Sequence, residues 1–416
     1  MPTVTDADLP TLAIEKPEFD ADPWPLFADA RKQHPWLARY RDGYVVHGYK
    51  AIKELVVRDD KMIPAIGGLV EFYGGEGTMW GRFMKEMLLS TPAGETHSRI
   101  RASIAPAFTP RTANRFKGEI RQVLRELLDA WTPSGHMDFA DFISHFPVAV
   151  LARLLGAKAD PMAVRENLEV QANSITFDKS LFPELLAGYD VLSDFVQGVI
   201  RDREASGSQD DGWLDEMIAA RDDGRIDATE LHFLLMMLFP AGYDTSKNMI
   251  AMTVNTLLDH PEHWARCAED RAFCTKVIDE MFRFAPVAPP MRIVIQALEY
   301  EGFTFQPGTL ITFVPAIAGR DPSVYEDADR FDPERTQSIR HIGFGQGSHI
   351  CLGMHLARLQ IEEAIHMCAQ RIRNPRRDGE ATWRHFLGIW GPKSLPIAFE
   401  PDAERPEETL SEKAAA

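Results

Sequence analysis

The residues with the clearest chemical capacity lie in one short run, Phe344-Gly345-Gln346-Gly347-Ser348-His349-Ile350-Cys351-Leu352-Gly353, directly before an apolar-periodic stretch from Met354 to Arg371. A cysteine between a glycine-rich loop and a helix N-terminus can be kept as a thiolate beside a metal, because backbone N–H groups and the helix dipole stabilise its charge. Gly345, Gly347 and Gly353 let the backbone approach a flat ligand closely, where a Cβ would clash. A lone cysteine near a glycine turn is more often a small buried packing residue, so the surrounding pattern has to decide.

Four further sets have residue types that could do chemistry. Asp244 and Thr245 sit in Ala241-Gly242-Tyr243-Asp244-Thr245-Ser246, within a periodic run from Ala228 to Leu258 that as a helix would span roughly 45 Å. Gly242 weakens such a helix, and Pro240 removes a donor while crowding the carbonyl of Met236, so the ladder is expected to open into a groove there. An acid beside an alcohol in a groove poor in free water suits proton delivery. The plainer alternatives are a hydroxyl bonded back to a carbonyl one turn earlier for Thr245 and a satisfied buried acid for Asp244. His97 and Arg101 stand four apart, which points two cationic donors the same way and suits carboxylates. Glu280 and Arg283 stand three apart on one helical face, the spacing of an ordinary surface pair. His260, His263, Cys267 and Cys274 have a zinc-like look, but their spacing fits no common finger, and both cysteines are read as packing residues.

The elements that must position these residues are mostly helical. Periodic runs predict helices around Phe116 to Ala130, Phe142 to Leu155, Leu185 to Ile200 and Ala228 to Leu258. Strand-like pieces are Tyr44 to His47, Glu299 to Phe305 and Thr309 to Pro315, with Gln306-Pro307-Gly308 expected to join the last two as a hairpin. With 416 residues, 45% of them hydrophobic, the chain can bury a large core, and no repeat or composition step divides it. Residues 1–16 are expected to be an N-terminal extension, 17–401 a single domain, and 402–416, rich in Asp, Glu, Pro and Ala, a loose tail. A net charge of -17 lacks the basic footprint that nucleic-acid binding requires. Four cysteines without paired spacing fit a reducing cytoplasm, the first residues offer no signal-peptide core, and the richest apolar stretch, Leu231 to Pro240, is about half the length of a membrane span.

The cysteine run resembles the haem-binding signature of the cytochrome P-450 family, with Phe, Gly, His, Cys and Gly in register, and thiolate ligation of haem iron is the hallmark of that family. The resemblance extends from about Pro17 to Pro401 and implies a mainly α fold, a large helical part with a smaller β-rich part. It implies Cys351 as axial ligand of the iron of haem b (iron-protoporphyrin IX), and cofactor contacts from His97, Arg101, Arg292, Phe344, Gly345, His349 and Gly353. Asp244 and Thr245 inherit by position the acid and alcohol that carry protons during cleavage of the O–O bond. Pro240 departs from the family's usual small apolar residue. Glu280-Met281-Phe282-Arg283 resembles the family's Glu-x-x-Arg helix, and Phe331 to Arg335 the segment its arginine contacts, as a structural network.

The same resemblance implies a monooxygenase of the soluble bacterial type, taking electrons from a ferredoxin and its reductase and acting on an apolar small molecule as a monomer. A terpenoid or small aromatic is the first expectation. By position the pocket draws on Ile63 to Met84, Phe177 to Phe182, Leu235 to Phe239, Val287 to Val294 and Ile389 to Trp390, with Tyr73, Tyr243 or Lys393 for a polar end of the substrate. Arg111, Arg115, Lys117, Arg340 and Arg358 could form a basic patch for an acidic partner. Two rivals keep the haem: a peroxide-driven peroxygenase, which would have less use for Asp244 and Thr245, and a non-enzymatic ligand sensor, which would have none.

Overall fold

The computed structural model describes residues 4, 8–172, 179–207, 212–336 and 339–401. Among these the chain is mainly helical, with strands in four small sheets. The tail 402–416, and residues 177 and 178 of one expected pocket segment, lie outside the described residues.

The central element is the 30-residue helix Ala228–Leu257. Its first turn is closed by a capping box: the Glu230 N–H donates to Asp227 at 2.8 Å, and the Asp227 N–H donates to the Glu230 carboxylate at 2.9 Å. Helices Phe139–Leu154, Phe182–Ser206 and Met354–Arg371 pack around it. Contrary to the expected opening, the helix runs without interruption past Pro240. Gly242 and Pro240 together disfavour a helix by about 4 kcal/mol, whereas each buried large apolar side chain returns about 1.5–3 kcal/mol. Leu235, Met236 and Phe239 are all fully buried, so packing outweighs propensity here.

The helix that follows the cysteine, Met354–Arg371, is tied down by one buried carboxylate. Glu363 accepts Lys117 at 3.6 Å, Arg121 at 2.8 Å and Arg271 as well. Those cations come from the helices Lys117–Trp131 and Arg271–Phe284.

A five-stranded sheet has the order Leu37–Tyr40, Gly43–Val46, Leu310–Phe313, Met291–Val294, Met62–Pro64. Gly43–Val46 pairs in parallel with Leu310–Phe313, and the other pairings are antiparallel. The hairpin expected across Gln306-Pro307-Gly308 does not form. Instead Leu298–Tyr300 pairs with Phe303–Phe305, closing on Glu301 and Gly302 at φ 46° and 86°. A two-residue loop with both residues left-handed follows the natural strand twist. Pro307 and Gly308 do turn the chain, but they send it into the larger sheet, because turn residues report a reversal and not which strands pair. Residues 10–12 run beside Leu37–Tyr40, with the Leu12 and Arg39 N–H groups donating to Arg39 and Pro10 at 2.8 Å.

Cys267 and Cys274 are buried on the adjacent helices Pro261–Glu269 and Arg271–Phe284. His260 and His263 stack on one another at 5.4 Å beside Glu262, so the cysteines take no part in that group. No described helix is long and apolar enough to cross a membrane.

Candidate active site

The loop before the cysteine is folded back on itself. Gly345 N–H donates to Ile342 at 2.9 Å, Ile350 N–H to Gly347 at 3.2 Å, and Cys351 N–H to Phe344 at 2.9 Å. Gly345 and Gly347 stand at φ 73° and 71°, a conformation that costs a residue with a Cβ about 1–2 kcal/mol. Gly353 differs: its φ is -80°, a Cβ there would meet nothing within 4 Å, and its contribution is the N–H it offers to the Cys351 sulfur. The Phe344 ring packs on Phe282 at 4.3 Å. Of the four cysteines Cys351 alone is exposed, although enough protein surrounds it that burial raises its thiol pKa, with the Gly353 N–H and the Arg101 charge acting the other way.

Four groups capable of positive charge gather beside this loop. His97 and Arg101 come from the helix Glu95–Ile104, Arg292 from the strand Met291–Val294, and His349 from the loop itself. The His97 and His349 rings lie 4.5 Å apart, and Arg101 Nη2 donates to the Ile350 carbonyl at 2.6 Å. Burial, then the charges of Arg292, His97 and Arg101, push the His349 pKa down to about 4. Burial also lowers His97, Arg101 and Arg292. Asp59 opposes this at His97, His349 and Arg292, its carboxylate held by Ser348 Oγ at 2.5 Å. Arg292 Nε and His349 Nε2 are buried with no hydrogen-bond partner among the described residues. A buried donor left unpaired costs about 1–3 kcal/mol, so this cluster suits a ligand that brings carboxylates of its own.

Asp244 and Thr245 sit midway along the long helix. Between Phe233 and Val254 only Pro240, Ala241, Gly242 and Thr245 are not buried. Ala241 and Thr245 stand one turn apart and share a face, whereas a Cβ at Gly242 would meet Leu151 Cδ1 at 3.2 Å. Thr245 Oγ1 donates back to the Ala241 carbonyl at 2.7 Å. Asp244 is buried and accepts Arg384 Nη1 at 3.0 Å and Asn248 Nδ2 at 3.4 Å; burial raises its pKa, opposed by Arg384 and Lys247. In this conformation both residues therefore make the plainer contacts that their sequence context allowed.

Tyr243 is not free to hold a substrate: it is fully buried and its hydroxyl donates to Glu169. Trp390 likewise spends its N–H on the Asp20 carbonyl at 2.8 Å. Tyr73, Trp80 and Phe182 pack on each other, and Lys393 is exposed. Glu169, Lys247 and Arg384 escaped the sequence reading; the available signal was Lys247, a lysine inside an otherwise apolar run and only 3% exposed. A separate groove of about 940 Å³, bordered by Met79 and Arg82 of the expected pocket segment and by Ser193, His232 and Phe233, contains none of His97, Arg101, Asp244, Thr245, Arg292, His349 and Cys351.

A family model described as Cytochrome P450 matches residues 36–374. The luteothin monooxygenase of Streptomyces thioluteus is 31% identical over 399 residues, covering 94% of this chain and 97% of that protein. The chain belongs to the cytochrome P450 family. The 6-deoxyerythronolide B hydroxylase of Saccharopolyspora erythraea is 27% identical, covering 93% of this chain and 98% of the relative. In fold, the chain is similar to epothilone B-bound cytochrome P450epoK, with a TM-score of 0.84 over 94% of this chain and 100% of that one at 23% identity.

As a cytochrome P450 the protein is an oxidoreductase of the monooxygenase type that works with haem, on a small molecule, with dioxygen and a redox partner. The residues present fit that cofactor: an exposed thiol on a glycine loop, and orphaned donors on Arg292 and His349. The Glu280–Arg283 pair is buried and is no surface pair. Arg283 donates twice to Glu280, at 2.8 and 2.6 Å, and to the carbonyls of Gly319, Ala328 and Arg330 at 2.6, 2.8 and 3.0 Å. Glu280 in turn accepts the Asp332 N–H at 2.9 Å, which binds the helix to the segment preceding the cysteine loop. Of the five cations expected to form a patch, Arg115, Lys117 and Arg358 are paired with Glu216, Glu363 and Asp279, and Arg111 and Arg340 remain as exposed charges.

Proposed function

We propose that this cytochrome P450 hydroxylates, O-dealkylates or epoxidises an apolar small molecule of the terpenoid or small aromatic class, with haem b held through the sulfur of Cys351. The observation that carries the reading is the meeting of the one exposed cysteine with two buried side-chain nitrogens that have no partner among the described residues. His97, Arg101, Arg292 and His349 would hold the propionates, and Gly345 and Phe344 would shape the loop against the ring. When bound, the haem supplies two-electron activation of dioxygen. The protein's own part is to keep the thiolate charged through the Gly353 N–H, to limit free water with an apolar lining, and to pass protons by way of Asp244 and Thr245.

Partly buried Ile66, Leu69, Phe72 and Ile389 support an apolar substrate held mainly by shape. Electrons would come from a ferredoxin and its reductase, with Arg111 and Arg340, exposed and without an ion pair among the described residues, available to an acidic partner. Four free cysteines agree with a cytoplasmic protein, which we read as a monomer with residues 17–401 as one domain. A spectral screen of the purified ferric protein tests the substrate class: apolar terpenoids or aromatics should convert the iron from low to high spin in a saturable manner. Saturable shifts confined to polar or charged compounds would overturn it.

A further inference from the structure

Arg384 lies between the strands Thr382–Trp383 and Pro392–Ser394, far in sequence from the long helix. Its Nη1 donates to Asp244 at 3.0 Å while its Nη2 donates to Glu169, on the helix Met162–Ala172. One guanidinium thus serves two carboxylates, and its planar fork holds them in a fixed geometry that the rotating donors of an ammonium would not. Lys247 and Tyr243 also bond Glu169, from the same helix as Asp244. The outer carboxylate, Glu169, has a side chain 35% exposed, whereas Asp244, Arg384 and Lys247 are at 12%, 9% and 4%. Among the described residues this group sets two carboxylates against two cations.

We propose that Arg384 and Glu169 are positioning residues for Asp244: because the two carboxylates share one guanidinium, Glu169 sets how firmly Arg384 holds the acid next to Thr245. The proposal rests on the proton-delivery reading of Asp244, but it makes a separate claim about charge. Removing the charge of Arg384 leaves an excess negative charge around Asp244 and favours its protonated form. Removing the charge of Glu169 leaves an excess positive charge and turns Arg384 wholly to Asp244, which favours the ionised form. The charged or titratable groups facing Asp244 are Arg384, Lys247 and Glu169, with Tyr243 beside them and Arg165 acting on Tyr243. A merely structural role for the two residues would not move the acid in opposite directions.

The test follows the carboxylic C=O infrared band of Asp244, assigned by its loss in Asp244→Asn, through a pH titration of the haem-loaded protein. Arg384→Gln should raise the apparent pKa by about 1–3 units, Glu169→Gln should lower it, and Arg384→Lys, which keeps the charge but loses the fork, should give a smaller rise. If Arg384→Gln does not fold, Arg384→Lys against Glu169→Gln carries the same sign test. Shifts in the same direction, or none, overturn the proposal. If the titrations move as expected while hydrogen peroxide released per electron pair keeps its wild-type pH profile, the positioning stands and the proton-delivery reading of Asp244 falls.

Discussion

Arg283 and Arg292 are both buried arginines, yet they sit in opposite circumstances. Arg283 makes five hydrogen bonds from three nitrogens, two to Glu280 and three to backbone carbonyls, matching the five donors that a guanidinium owns. Arg292 donates only to the neighbouring Met291 carbonyl, at 3.1 Å, and its Nε has no partner among the described residues. A saturated buried group holds a scaffold in one geometry. A buried group with spare donors is costly in isolation, and beside an accessible thiol it marks a place where a ligand completes the bonding.

The largest effect that would break this contrast is at Arg283. Arg283→Ala leaves Glu280 buried without its cation and should cost about 3–5 kcal/mol in denaturant unfolding. Arg292→Ala should change the unfolding free energy of the haem-free protein by no more than about 1 kcal/mol while accelerating haem loss to a scavenger. Equal destabilisation by the two variants would abolish the distinction.

His47 sharpens the contrast, because it too is buried with both ring nitrogens unpartnered but packs on Phe27 at 5.8 Å, outside the cation cluster. Burial, followed by the charge of Arg31, holds its pKa down at about 3, from an ordinary 6.5. The folded state therefore resists protonation that the unfolded chain accepts, and stability should fall as pH drops from about 6.5 towards 3. The loss attributable to this residue is about 5 kcal/mol. His47→Phe should flatten that part of the acid limb in thermal melts, and an unchanged limb would remove His47 from the account. Gly345→Ala should cost about 1–2 kcal/mol and slow haem uptake, measured by reconstitution. Smallest in stability, under about 1 kcal/mol, is Thr245→Ala, which should keep the haem and divert electrons to hydrogen peroxide; normal coupling would refute the role of Thr245 without touching the cysteine.

The long helix was legible because apolar positions recur through Ala228–Leu257 strongly enough to override Pro240. The hairpin was misplaced because Pro307 and Gly308 are strong turn residues, whereas the true closure uses Glu301 at a positive φ that its residue type does not advertise. The folded-back loop around Cys351 was legible from local spacing, since the Gly353 N–H that acts on its sulfur lies two residues on. Arg384 was not, because it reaches Asp244 across 140 positions of chain, and no local pattern encodes such a meeting. Tyr243 was misread for the same reason: its partner, Glu169, lies 74 positions away.

The central claim is that Cys351, and no other cysteine of the chain, ligates the haem iron. Its most direct test is the spectrum of the reduced protein with carbon monoxide, compared among single serine variants at Cys267, Cys274, Cys351 and Cys368, with folding checked by circular dichroism. Cys351→Ser should lose the thiolate-type absorption band while staying folded, and the other three should keep it. A thiolate-type band that persists in folded Cys351→Ser, or that vanishes in a folded variant at one of the other three positions, would contradict the account.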